Sequence, residues 1–154
     1  MIRYYDASAL VKRYVLEPGA ADVGALMAAD GSPITGAASG AEVPAALAKA
    51  TRLGSVSLED ARAALQAFLH EWERYERIPL DGRLGREAGE LAWRHGLRGF
   101  DAVHLAAAIR AGQLHGESVT LVTYDHRLAE AAKAAGLEVY PGSPWAGRGG
   151  EGAR

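Results

Sequence analysis

Cysteine is absent from the 154 residues. That excludes disulfides, thiolate metal sites and cysteine nucleophiles together, closes any zinc-finger reading, and leads us to expect a reducing, cytoplasmic setting. Long apolar runs are also missing: charged residues interrupt every hydrophobic stretch well before the ~18 residues of a membrane helix. The opening MIRYYDASALVKRY carries an acid at position 6 and a lysine at 12, so it lacks the unbroken apolar core of a signal peptide. An excess of positive charge is missing as well. A net charge of −2 argues against binding nucleic acid through a broad basic surface, so any such binding has to be local. What is present is apolar material, 49% of the residues, which suffices for the core of one compact domain, and neither a repeat nor a linker divides the chain.

Apolar runs alternate with helical patterns. Ile2 to Tyr5 reads as a strand that stops at Asp6, and Ser8 to Tyr14 has Leu10, Val11 and Tyr14 at helical spacing. Pro18 and Gly19 break it, a helix over Ala20 to Ala29 follows, and Ile34 and Thr35 lead into a helix across Ala37 to Arg52 with Pro44 in its first turns. Ser57 followed by Asp60 approximates a capping box for a helix reaching about Tyr75. Ile78-Pro79-Leu80 reads as a short edge strand, and Leu84, Ala88 and Leu91 mark a helix to His95. A small-residue helix over Phe100 to Ala111, a buried strand over Val119 to Thr123, a helix over His126 to Ala135 and a strand over Leu137 to Tyr140 complete the pattern. Strands alternating with helices predict an α/β fold with a central, mainly parallel sheet flanked by helices, because parallel neighbours need crossovers. The domain is expected over residues 1–141; 142–154, PGSPWAGRGGEGAR without its first proline, is too poor in apolar residues to pack and is expected to be disordered.

In open α/β sheets ligands gather beyond the carboxyl ends of the strands, so the polar residues there carry the first functional expectation. Asp6 and Asp125 follow predicted strands and precede helices; taken alone, each is explained more readily by an N-cap role, for which aspartate is preferred. Asp101 opens the segment FDAVHLAAAIR, where the helix dipole alone would favour an acid. Glu42 lies in an apolar, Ala-rich stretch, where a carboxylate is either solvent-facing or has a partner. Four converging carboxylates repel one another by about 4 kcal/mol per pair at ~4 Å and an effective dielectric of ~20 unless cations are bound. An all-oxygen donor set suits Mg²⁺ or Mn²⁺, and the chemistry such a site supports is phosphodiester hydrolysis.

YYDASALVKRY, ASGAEVPAALAK around Glu42, GFDAVHLAAAI and LVTYDHRLAEAAKAAGLEV resemble, in order and spacing, the four motifs of PIN domains. The compact length and the forms DASALVKRY and DAVHLAAA are most similar to VapC-type toxins of type II toxin-antitoxin pairs. The resemblance covers about residues 1–141, although Gly36 to Ser39 is richer in small residues than the family pattern. It implies a parallel sheet, Mg²⁺- or Mn²⁺-dependent endoribonuclease activity, a cognate antitoxin partner and a homodimer. Carried over by motif, Asp6 and Asp101 become the principal metal ligands. Glu42 becomes a ligand or water-positioning acid, and Asp125 a ligand reached directly or through water. Ser8 matches a hydroxyl position after the first acid, with a helix cap as its alternative role, and Thr123 is a similar candidate.

Arg98, just before the third motif, could hold a substrate phosphate in bidentate fashion. Lys12 and Arg13 lie near the first acid in sequence. His104, three residues after Asp101 and so on the same helical face, is read as packing rather than ligation, because no second histidine stands at metal spacing. His126 is read as surface. Trp72, Tyr75 and Trp93 are either core or an apolar groove for a partner helix. A structured RNA with an accessible single-stranded loop is the expected substrate. The competing reading is a catalytically silent fold of the same kind that binds RNA or protein. An aspartyl-nucleophile phosphatase would want a second acid close after the first, and Asp6 is followed by Ala7 and Ser8.

Overall fold

The computed structural model describes residues 1–142. Five strands form one parallel sheet: β1 (Ile2–Tyr5), β2 (Ile34–Gly36), β3 (Glu76–Ile78), β4 (Val119–Val122) and β5 (Glu138–Tyr140), in the spatial order β3-β2-β1-β4-β5. The crossovers hold helices α1 (Ala7–Leu10), α2 (Ala20–Asp30), α3 (Ser39–Arg52), α4 (Leu58–Trp72), α5 (Gly82–His95), α6 (Gly99–His115) and α7 (His126–Ala134). The chain builds outward from β1 to β3, then returns to lay β4 on the other side of β1. The sheet therefore switches direction between β1 and β4, the place at the strands' carboxyl ends where open α/β sheets gather their ligands.

Alternation along β1 divides the core in two. Tyr4 points to one face and packs with Leu105, Ala107 and Leu128 among residues of α5, α6 and α7. Tyr5 points to the other and packs with Val23, Val43 and Phe68 from the helices before β3. Both faces are covered, which is why the adjacent Leu121 and Val122 of β4 are both fully buried.

The predicted α/β architecture holds, with local shifts. The first helical segment yields after one turn to a 3₁₀ helix over Val11–Arg13. The edge strand lies at Glu76–Ile78, upstream of the predicted 78–80, because Pro79 has no N–H to continue the ladder while Glu76 donates to the Pro33 carbonyl at 3.0 Å. Helix α6 runs past Ala111 to His115 and stops at Gly116, whose φ of 64° is left-handed. Gly112 permits this close packing, since a Cβ there would lie 2.7 Å from Val119 Cγ2. The expected disorder of the tail falls, from residue 143 on, outside the described residues. Among the described residues, no helix is long and apolar enough to cross a membrane.

Candidate active site

Asp6 leaves β1 at the switch point and caps α1. Its Oδ1 accepts from the Ala9 amide at 2.9 Å and from Ser8 Oγ at 2.7 Å, and its Oδ2 accepts from Thr123 Oγ1 at 2.6 Å. Asp6 itself is the cap, so the alternative role of Ser8 as helix cap is not what the structure has. Ser8 Oγ also accepts from the Tyr124 amide at 2.9 Å, and Thr123 Oγ1 from the Asp125 amide at 3.1 Å. Each hydroxyl thus ties the acid to the segment after β4. Asp6 is only 4% exposed, and burial raises its pKa above 3.8 against the opposing field of His104 and the donors on its oxygens.

Glu42 sits in the first turn of α3, and its Oε1 lies 2.6 Å from His104 Nε2. The imidazole is 2% exposed, and its Nδ1 meets the hydroxyl of fully buried Tyr4 at 2.9 Å. Burial opposes a charged imidazole, but the Glu42 hydrogen bond and the fields of Asp6, Glu42 and Asp101 outweigh it, so the His104 pKa is raised. Glu42 is therefore bonded to an imidazole that stands one turn after Asp101 on α6 and feels the field of Asp6. Reading His104 as packing was incomplete: it is buried, yet it is bonded to a candidate site residue. Its position one turn after Asp101 was visible in DAVH; its partner, 62 residues away, was not.

Asp101 stands in the first turn of α6, and Asp125 caps α7 by accepting from the Leu128 amide at 2.8 Å. Arg98 joins them, with Nε 3.2 Å from Asp101 Oδ2 and Nη2 3.4 Å from Asp125 Oδ2. Lys12 and Arg13 turn elsewhere: Lys12 bonds Glu17 and the Pro18 carbonyl and lies over the Tyr124 ring, and Arg13 pairs with Glu71. His126 is exposed. Trp72 packs against Phe68 and Tyr75, whereas Trp93 is almost fully exposed.

Among the described residues, no three acidic or histidine side chains close around a common point tightly enough to enclose an ion as they stand. Asp101 and Asp125 are instead balanced by a guanidinium and Glu42 by an imidazole. The donor chemistry still fits a hard divalent cation: four carboxylates, no thiolate, and a bridging arginine that is 73% exposed and therefore displaceable.

Residues 3–134 match the PIN domain family. Ribonuclease VapC45 of Mycobacterium tuberculosis (strain CDC 1551 / Oshkosh) is 36% identical over 141 residues, 90% of this chain and 94% of that protein. Ribonuclease VapC49 of the H37Rv strain matches to the same extent. Ribonuclease VapC46 of that strain is 32% identical over 136 residues, 88% and 94% of the two chains. Among solved structures, a chain in the crystal structure of VapBC2 from Rickettsia felis bound to a DNA fragment from its promoter superimposes with a TM-score of 0.59. That match has 20% identity and covers 90% of this chain and 97% of the other, so it speaks for the fold. With the parallel sheet, the acids at its switch point and these relatives together, the chain belongs to the PIN-domain family, on its VapC-type branch.

Proposed function

We propose that this protein is a Mg²⁺- or Mn²⁺-dependent endoribonuclease and the toxin of a toxin-antitoxin pair. The observation that carries the reading is the buried Asp6 carboxylate at the point where the sheet reverses, held by three donors, beside a Glu42 bonded to His104 of the helix that also carries Asp101. Relatives named as ribonucleases over nine-tenths of the chain support the substrate class.

The chain's own residues divide the work. Asp6, held by three donors, is a rigid carboxylate that cannot swing away from an ion. Asp101, in the first turn of α6, would be the second ligand, Glu42 would orient a water or complete the coordination, and Asp125 would contribute directly or through water. The chemistry a divalent cation would supply when held by these residues is charge neutralisation at the scissile phosphate and a more acidic water. Arg98, released from the acids it pairs, reaches for a phosphate with a planar, two-pronged donor set.

A near-neutral surface with a charged pocket suits recognition by shape, so the substrate is a structured RNA cut in a single-stranded loop. The partner expected for the acidic pocket is an antitoxin with an amphipathic, arginine-bearing segment, the active particle is a homodimer, and the setting is the cytoplasm.

The test is cleavage of total cellular RNA by purified protein in Mg²⁺ or Mn²⁺ against EDTA, with Asp6→Asn and Asp101→Asn compared after folding is verified. Metal-dependent cleavage that both variants lose supports the reading. A wild-type protein that cuts no RNA under either ion favours a silent binding module instead.

A further inference from the structure

Tyr4 and His104 form a second polar layer beneath the acids. On β1, Tyr4 is two residues before Asp6 and so shares its face. On α6, His104 is one turn after Asp101 and shares its face. The two elements that present Asp6 and Asp101 thus present, one step deeper, two aromatic polar groups bonded to each other, and the outer nitrogen of that pair holds a third acid from α3.

The arrangement is fitted closely. Tyr4 is fully buried, its ring packs edge-on to the imidazole with centroids 6.0 Å apart, and both imidazole nitrogens are engaged. Gly36 on β2 makes the room: a Cβ there would fall 2.6 Å from the Tyr4 hydroxyl and 3.7 Å from His104 Nδ1. The small residues before Glu42 thereby have a purpose. Ser39 adds to it, since its buried hydroxyl meets Thr35 Oγ1 at 2.8 Å and ties the start of α3 to β2.

Chemistry sets the direction of the bonds. An ionised Glu42 only accepts, so Nε2 carries the hydrogen between them. Tyr4 then donates to a neutral Nδ1 or accepts from a protonated one. Either way the tyrosine fixes the ring, and the ring fixes Oε1 of Glu42, leaving Oε2 without a hydrogen-bond partner among the described residues.

We propose that Tyr4 and His104 are positioning residues that hold Glu42 in the orientation a divalent cation or its water requires. This rests on the metal-site reading above. Groups that orient a metal-binding side chain commonly account for 10- to 100-fold in affinity or activity.

The experiment measures Mn²⁺ affinity by titration calorimetry on the full chain for wild type, His104→Leu, His104→Gln, Tyr4→Phe and Glu42→Gln, and for the pair His104→Leu with Glu42→Gln, each checked for folding by circular dichroism. We expect about tenfold weaker Mn²⁺ binding in His104→Leu. We expect near-wild-type binding in His104→Gln, whose amide nitrogen can still donate to Glu42. In the Glu42→Gln background His104→Leu should have no further effect, because the acid it positions is gone. Should His104→Leu not fold, Tyr4→Phe carries the test with an expected loss of about threefold, as the ring loses one of its two anchors. A folded His104→Leu that binds Mn²⁺ like wild type overturns the proposal, as does a folded Tyr4→Phe that does so where His104→Leu fails to fold, and so does an effect that persists undiminished in Glu42→Gln. A wild type that binds Mn²⁺ but cuts no RNA sinks the nuclease reading alone; a wild type that binds no Mn²⁺ sinks both.

Discussion

Asp6 and Asp125 look alike in sequence, each an aspartate between a strand and a helix, and each does cap its helix. Their surroundings differ. Asp6 is buried, accepts from Ala9, Ser8 and Thr123, and is pushed by burial toward its neutral form. Asp125 has a side chain 27% exposed, accepts from the Leu128 amide, and turns its other oxygen to an exposed arginine. Capping explains Asp125 nearly completely. It does not explain why a carboxylate should be buried at Asp6, where Asn or Ser would cap α1 without the desolvation cost. The difference marks Asp6 as the residue whose position serves something other than the fold.

The largest expected effect separates the two in catalysis. Asp6→Asn should lower single-turnover RNA cleavage by about 10³-fold, as loss of a principal ligand removes several kcal/mol of charge stabilisation. Asp125→Asn should lose about tenfold. Equal losses would erase the distinction.

Gly36→Ala should follow in size. Its new Cβ must displace the Tyr4 hydroxyl, and overpacking of this kind costs about 1–3 kcal/mol, read as a lowered thermal midpoint. An unchanged midpoint would mean that the Tyr4 ring shifts freely and anchors nothing.

Asp6 also gives stability a pH dependence. Its folded pKa lies above the ordinary 3.8, so the folded state holds this proton more tightly than the unfolded chain. The contribution is therefore most favourable below the unfolded pKa and is lost as pH rises through the folded one. In EDTA, Asp6→Asn should melt above wild type near pH 7, with the gap closing as pH falls toward 4. A gap that widens on acidification would have the wrong sign. The smallest effect is expected from Arg98→Gln: a few-fold weaker RNA binding with a shallower dependence on salt, one phosphate contact having gone.

Much of the fold was legible because both faces of the sheet are covered, which leaves apolar side chains at adjacent positions, Tyr4 and Tyr5 in β1 and Leu121 and Val122 in β4. Edges were harder to place. Pro79 drew the third strand two residues late, since its tolerance on an edge strand says nothing about which side of it the ladder ends. Helix α6 outran its predicted end at Ala111 and continues through Gly112, where the backbone approaches Val119 closely. At the site, the acids stood out by their places after strands and at helix starts. The bond between Glu42 and His104 did not, because periodicity reports which face a residue shares within one helix and is silent about partners 62 residues away. Arg98 was expected to face a phosphate; in the structure it pairs Asp101 with Asp125, which is what a cation near unmatched carboxylates does until something stronger competes.

The most direct measurement is an anomalous-difference map from a crystal of the wild-type protein soaked in Mn²⁺. The account predicts a peak about 2.1 Å from carboxylate oxygens of Asp6 and Asp101, with the Arg98 guanidinium moved off Asp101. A fully soaked crystal with no peak there, and with Arg98 still bridging Asp101 and Asp125, would contradict it.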